Sequence, residues 1–407
     1  MMKKVYLDHA ATTPVDPRVL RAMLPYLKEK FGNPSSPHRW GREAKLALEE
    51  SRKKVAKALG AKPEEIIFTS GATESINLAH KGLIRGMFYR AKKIKTPHLI
   101  TSLVEHKAVL ETCQYLEKLG VAKVTYLPVD KNGLVRVADI EKAIRPETVL
   151  VSIMYVNNEV GMIEPIDKIG RLIKKINQTG NRRQETKIYF HTDATQACQY
   201  LDCHVERLGV DLLSFSGHKI YAPKGIGVLY IREGTPLSRQ QSGGNQEYQL
   251  RAGTENVPYI VALGKAVELV EQNKVHSTKR IEKLRNKLID GVLKIPGVKL
   301  IGHPTKHAPH IASFIIQGAE GEAILLLLDE AGIAASSGSA CTSGLLEPSH
   351  VLTAMGYQPQ EAHGSLRFSL GKQTTEEEID YLIKVLPGIV EKLRKMAPKI
   401  KETRDKI

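Results

Sequence analysis

Four settings in this chain place reactive or binding residues where chemistry could occur. The first is Ser214-Phe215-Ser216-Gly217-His218-Lys219, which closes a run beginning Val210-Asp211-Leu212-Leu213 and leads into the turn Ala222-Pro223-Lys224-Gly225. The run reads as a short buried strand, and a lysine fixed at such a strand end can be neutral enough to form an imine with an aldehyde. Taken alone, the hexapeptide is more simply a solvated lysine at a loop. The second is His191-Thr192-Asp193-Ala194-Thr195-Gln196, after a strand at Lys187–Phe190. There an aspartate could pair with a protonated ring nitrogen and a glutamine could reach a neighbouring hydroxyl, and a helix cap is the competing reading. The third is Ser70-Gly71-Ala72-Thr73, between a strand and a helix, where small residues and free backbone N–H groups can cradle a phosphate. It lacks the Gly-Lys-Ser/Thr ending of a P-loop, and a plain helix N-cap accounts for it equally well. The fourth is Cys341, whose neighbours Gly338, Ser339, Thr342, Ser343 and Gly344 are small or polar, unlike the apolar setting of a structural cysteine.

The elements that must position these residues alternate. Strand-like runs at Ile66–Thr69, Leu99–Ser102, Lys123–Leu127, Val149–Ile153, Lys187–Phe190, Leu212–Phe215 and Gly227–Ile231 are interleaved with helical patterns. Several are wholly apolar, which predicts a mostly parallel sheet covered on both faces. Ligands of such sheets bind outside the carboxyl ends of the strands, where the lysine, the aspartate and the Ser70 turn stand. One helix is expected over His38–Leu59, with Gly60 as its stop. After about Pro258 the pattern shifts to a long helix through Val270 to Ile295, short strands near His310–Ile315, and a last helix opened by Thr375 and Glu378 at capping-box spacing. This predicts a large domain over 17–258 and a smaller α+β domain from 259–407, to which residues 1–16 return.

Composition narrows the class. A chain of 407 residues is long for one domain, and no run approaches the ~20 apolar residues of a membrane span. The N-terminus, Met1-Met2-Lys3-Lys4-Val5-Tyr6-Leu7-Asp8-His9, has no apolar signal core, so a soluble, cytoplasmic protein is expected. Four cysteines, Cys113, Cys198, Cys203 and Cys341, are too few and scattered for a disulfide framework. Cys198, Cys203 and His204 lack a second ligand pair, so no metal is expected there. The net charge of +16 is spread along the chain and interleaved with acids, and few aromatics accompany the basic tail from Lys392 to Lys406. That favours a solvated basic surface over a nucleic-acid site, with an acidic partner protein still open.

A phosphate turn, a strand-end aspartate and a strand-end lysine are together the groups a pyridoxal phosphate site requires. At this point the chain resembles a known family. Asp8-His9-Ala10-Ala11-Thr12-Thr13-Pro14, Ser70-Gly71-Ala72-Thr73-Glu74-Ser75, Asn157-Asn158-Glu159-Val160-Gly161 and Ser216-Gly217-His218-Lys219 are similar to motifs of the cysteine desulfurases. So are Arg251-Ala252-Gly253-Thr254-Glu255-Asn256, Ser336-Ser337-Gly338-Ser339-Ala340-Cys341-Thr342-Ser343 and Arg367-Phe368-Ser369-Leu370-Gly371. The resemblance is to the NifS/IscS type of the class V aminotransferase superfamily and covers nearly the whole chain. It implies the type I fold of pyridoxal-phosphate-dependent transferases, with a mostly parallel seven-stranded sheet. The cysteine motif resembles the branch with a long mobile loop rather than the SufS branch.

The resemblance also implies roles. Lys219 would anchor pyridoxal phosphate covalently and move protons, and Asp193 would keep its ring nitrogen protonated. His106, in Val104-Glu105-His106-Lys107, would stack on the ring and act in acid–base steps; by itself it reads as a helix-surface histidine. Gln196 and Asn158 would bind the ring hydroxyl and the substrate side. Ala72, Thr73, Ser216 and His218 would bind the phosphate, joined by Thr254 from the second subunit of a homodimer. Arg367 would take the substrate carboxylate in a two-pronged contact, with Asn33 also on the substrate side. Cys341 would be the nucleophile that removes sulfur from L-cysteine, leaving L-alanine and a persulfide. The alternatives are selenocysteine lyase or another class V pyridoxal phosphate activity; transamination needs no thiol.

In two places the chain departs from the housekeeping pattern. The inserts around Arg90–Pro97 and Gln178–Glu185 read as longer than usual, and the C-terminal Lys399–Ile407 lacks the tail by which housekeeping members grip the iron–sulfur scaffold. The resemblance therefore leaves the sulfur acceptor open between an iron–sulfur scaffold, a tRNA-thiolation protein and another carrier.

Overall fold

A computed structural model describes residues 4–90, 96–179, 187–337 and 348–396. Cys341, the middles of both inserts and the basic tail beyond Met396 lie outside the described residues. The strands are β1 (Val5–Tyr6), β2 (Ile66–Thr69), β3 (His98–Ser102), β4 (Lys123–Leu127), β5 (Thr148–Ser152) and β6 (Tyr189–Asp193). They continue with β7 (Leu212–Ser216), β8 (Gly227–Ile231), β9 (Val298–Leu300), β10 (Ile311–Ile316), β11 (Ile333–Ala334) and β12 (Ser365–Ser369). Seven of them form one sheet in the order β2-β8-β7-β6-β5-β3-β4. β8 runs antiparallel to both its neighbours and every other pairing is parallel, as the apolar runs predict.

Alternation along each strand splits the sheet's side chains between two cores. Ile66, Phe68, Val151, Phe190 and Leu213 join one, and Ile67, Leu150, Tyr189 and Leu212 join the other. Both faces are covered by helices, so the central strands are buried from end to end. β6 extends past the expected Phe190 to Asp193, because its polar residues are satisfied inside the sheet. His191 bonds Ser152 Oγ at 2.8 Å and Ser214 Oγ at 2.9 Å, on strands β5 and β7. This extension makes Asp193 the last residue of the strand itself rather than one following it.

A further core gathers Ile281, Leu288, Phe314, Leu366 and Ile379 around the antiparallel sheet β12-β10-β9. The N-terminal segment packs here: Val5 and Leu7 are part of this core, and β1 pairs in parallel with β11. Helix Val257–Val292 bridges the cores, with Ile260, Leu263 and Val267 in the first and Ile281, Leu284 and Leu288 in this one. It starts earlier than its periodicity suggests. Asn256 caps it by accepting from the Tyr259 N–H, and Pro258 falls in the first turn, where its missing N–H costs nothing. Among the described residues no helix is long and apolar enough to cross a membrane.

Candidate active site

The carboxyl ends of β6 and β7 and the N-terminus of helix Ala72–Arg90 open onto a cavity of about 500 Å³, a size usual for small-molecule sites. Lys219 lies in the turn Gly217–Lys219 directly after β7. Its Nζ donates to the carbonyls of Ala10 and Ala11, each at 2.6 Å. Two residues on, Tyr221 adopts φ +67°, a conformation that costs energy for any residue but glycine. It is held there because its N–H donates to Thr13 Oγ1 and its hydroxyl accepts from the Lys372 N–H. The strain is thus offset by bonds that fix the turn carrying the lysine.

Asp193 reaches the cavity from the end of β6, its Oδ1 accepting from the Thr195 N–H at 2.9 Å. Gln196 follows in the next turn, its Nε2 donating at 2.9 Å to the same Ala10 carbonyl that Lys219 uses. His106 is the N-cap of helix Lys107–Lys118, and its Nδ1 accepts from the Ala108 N–H at 3.1 Å. Burial lowers its pKa first of all, outweighing the attraction of Asp193. A neutral imidazole whose Nδ1 accepts must carry its proton on Nε2. His218, bonded to Thr12 Oγ1 at 3.1 Å, is pushed down to about 4 by burial and by Lys219 and Lys224, so it too is neutral.

Arg367, on β12, enters from the smaller sheet with its guanidinium partly committed. Nη2 donates to Asp8 Oδ1 at 2.9 Å and Nη1 to the Asn158 carbonyl at 2.8 Å, and Nε is buried without a partner among the described residues. The expected two-pronged substrate contact therefore competes with Asp8. Ser336, on the near side of the cysteine segment, exchanges backbone bonds with Arg367 itself. On the far side, Ser349 Oγ donates to Glu159 Oε2 at 2.5 Å.

Of the residues expected at the site, Ala72, Thr73, His106, Asn158, Asp193, Gln196, Ser216, His218, Lys219 and Arg367 all line the cavity. Asn33 does not: it is exposed, and its side chain accepts from the Ser35 N–H in a local turn. Thr254, expected from a second subunit, is exposed and does not line the cavity of its own chain. Cys341 lies outside the described residues, and Cys113, Cys198 and Cys203 are buried. Sequence reasoning missed the Ala10 and Ala11 carbonyls that hold Lys219, because backbone oxygens leave no mark on residue type. It also missed Asp8, within the Asp8–Pro14 motif, and the lining residues Met154 and Val156, whose apolar side chains carry no signal of a site.

The donor set suits a flat, phosphorylated aromatic group. A helix N-terminus with Ser216 and His218 opposite can take the phosphate, Asp193 can hold a proton on a ring nitrogen, and Lys219 is an amine in reach of the same space. Among the described residues no group of three or more His, Cys, Asp or Glu side chains could hold a metal.

Residues 5–382 match the aminotransferase class-V family. The chain is 50% identical over 399 residues to the cysteine desulfurase IscS of Dictyoglomus turgidum, covering 98% of this chain and 97% of that one. A solved NifS-like protein superposes with a TM-score of 0.87 at 41% identity, over 96% of this chain and 100% of that one. A structure of SspA in complex with cysteine superposes at 0.77 with 37% identity, over 90% of this chain and 99% of that one.

Proposed function

Because this chain belongs to the class V aminotransferases, and within them to the cysteine desulfurases, we propose that it takes sulfur from L-cysteine, using pyridoxal phosphate, and carries it as a persulfide on Cys341. One observation carries the reading: residues far apart in sequence, Asp193, Lys219, His106 and Arg367, meet in one cavity of fitting size. The fold, of the pyridoxal-phosphate-dependent transferase type I, supports it: Asp193 and Lys219 stand at the ends of β6 and β7, where such sheets bind ligands, and Arg367 reaches the same cavity from β12. The solved relative holding cysteine supports that amino acid as the substrate.

In this reading Ala72, Thr73, Ser216 and His218 would hold the phosphate, with Thr254 supplied by the second copy in a homodimer. Asp193 would hold the ring nitrogen, Gln196 and Asn158 would bind the ring hydroxyl and the substrate side, His106 would stack on the ring, and Lys219 would be the covalent anchor. Bound there, pyridoxal phosphate supplies an electron sink that draws charge from the substrate's α-carbon. Lys219 carries protons to and from that carbon, and the Ala10 and Ala11 carbonyls hold its amine in position. His106, neutral with its proton on Nε2, donates or accepts at the substrate side. Arg367 exchanges part of its pairing with Asp8 for the substrate carboxylate, which orients the α-carbon. The Cys341 thiolate attacks the substrate sulfur, so that the carbon–sulfur bond breaks as the sulfur–sulfur bond forms; the electron pair of the broken bond stays with the substrate's β-carbon, which takes up a proton to become the methyl group of L-alanine. L-alanine leaves, and the sulfane sulfur passes to an acceptor protein in the cytoplasm, an iron–sulfur scaffold or a tRNA-thiolation protein.

The test is direct. With labelled L-cysteine, the loaded protein should release alanine and carry label on Cys341. Cys341→Ser should keep the cofactor's visible absorbance and form no protein-bound persulfide; full turnover by that variant would falsify the assignment. Lys219→Ala should lose the normal absorbance band, and retaining it would remove the lysine from this role. Comparing alanine release from cysteine and selenocysteine separates the proposal from a selenocysteine lyase.

A further inference from the structure

Behind the cavity wall, on the side of the smaller sheet, stands a histidine that the reaction does not use. His310 immediately precedes β10 and is 3% exposed. Its ring stacks on Tyr200, with centroids 4.5 Å apart and planes at 24°, and its carbonyl accepts from the Leu370 N–H at 2.8 Å. The ring and its backbone are therefore both fixed. His310 Nε2 lies 3.2 Å from Gln196 Oε1, whereas Nδ1 is buried with no partner among the described residues.

These contacts determine the direction of each bond. Gln196 turns its NH₂ to the Ala10 carbonyl, so its oxygen faces His310 and must accept. The imidazole proton is thus on Nε2. Ala10 O in turn accepts from Lys219 Nζ at 2.6 Å, and the Ala10 N–H donates to Ser369 Oγ at 2.8 Å. A continuous set of hydrogen bonds links His310 through Gln196 to the carbonyl that holds the lysine.

We infer that His310 is a positioning residue, which fixes the amide of Gln196 and through it the seat of the cofactor beside Lys219. The inference rests on the functional reading above, because only a group bound in the cavity gives Gln196 something to orient toward. Without the imidazole N–H, the buried Gln196 oxygen has no donor among the described residues, and its amide rotates to find one.

The experiment measures pyridoxal phosphate binding to cofactor-stripped full-length protein, by visible absorbance, in four forms: unmodified, His310→Phe, Gln196→Ala and both together. Phenylalanine keeps a ring against Tyr200 and removes only the donor. It should raise the dissociation constant about 3–10-fold, the worth of one neutral hydrogen bond. In the Gln196→Ala background the same replacement should change it less than about 2-fold, since a residue acting through Gln196 has nothing left to act on. An equal factor in both backgrounds, or no change from His310→Phe alone, overturns the inference. His310→Leu serves the same comparison if the phenylalanine variant does not fold. If the unmodified protein binds no pyridoxal phosphate, the functional reading fails by itself. His310 is then judged from a crystal structure of the phenylalanine variant, where Gln196 should leave the Ala10 carbonyl; an unmoved Gln196 overturns the inference there too.

Discussion

Arg367 enters the cavity already paired, and this sets what its replacement should do. Its fork bonds Asp8 and the Asn158 carbonyl from a position 6% exposed at the side chain. A lysine there keeps the charge and loses the planar, two-pronged geometry that matches a carboxylate. We expect Arg367→Lys to raise KM for cysteine about 10–100-fold, the worth of one charge-assisted hydrogen bond, with a smaller change in kcat. Steady-state kinetics decide it, and an unchanged KM would remove Arg367 from substrate binding. At this scale the sequence was informative for residues whose side chains line the cavity, such as Lys219, Asp193 and Arg367. It was silent for Ala10, whose carbonyl serves both Lys219 and Gln196.

The connection from β3 to helix Lys107–Lys118 shows how one short element sets two protonation states. His106 is neutral because it is buried and its Nδ1 caps the helix. Beside it, Glu105 is wholly buried, and burial pushes its carboxyl up to about 8. Oε1 accepts from Ser102 Oγ at 2.7 Å and from the Met154 N–H at 3.0 Å, while Oε2 has no partner among the described residues. Glu105 is therefore protonated at neutral pH. Unfolded, it titrates near 4.3, so its folded form retains a proton that the unfolded chain loses. The stability this gives is full below about pH 4.3 and is lost as pH rises through about 8. Glu105→Gln, which copies the protonated shape, should melt close to the unmodified protein at pH 5 and roughly 2–4 °C or more above it at pH 9. Scanning calorimetry at the two pH values checks this; equal melting at pH 9 would mean that the fold does not raise the pKa of Glu105.

Across the molecule, Arg52 and Glu247 tie helix Arg39–Leu59 to the edge strand β2 through a pair 3% exposed on each side. Arg52 bonds both Glu247 oxygens at 3.0 and 2.7 Å, and Glu247 Oε2 also accepts from the Phe68 N–H at 2.8 Å. Removing one member strands a buried charge, so Glu247→Ala should cost about 3–5 kcal/mol by denaturant unfolding. Adding Arg52→Met should recover part of that loss; a purely additive double variant would show the pair is not coupled. Acid should also weaken the fold. His80, His307 and His310 are buried neutral, with pKa values lowered by burial to about 4, 4 and 3. The unfolded chain takes up these protons near pH 6.5, so stability should fall as pH drops from there toward 4. The chain by itself determined the alternation that makes a parallel sheet, and the reactive residues at the ends of its strands, because periodicity and local turn chemistry are written residue by residue. It also marked Lys219 and Cys341 as separate centres. Only the tertiary structure decided which backbone oxygens grip Lys219, that Asp8 competes for Arg367, that Asn33 stays outside the cavity of its own chain, and that His310 braces Gln196. Those are meetings of residues up to hundreds of positions apart, set by how the N-terminal loop and the smaller sheet close over the strand ends, and no local pattern encodes them.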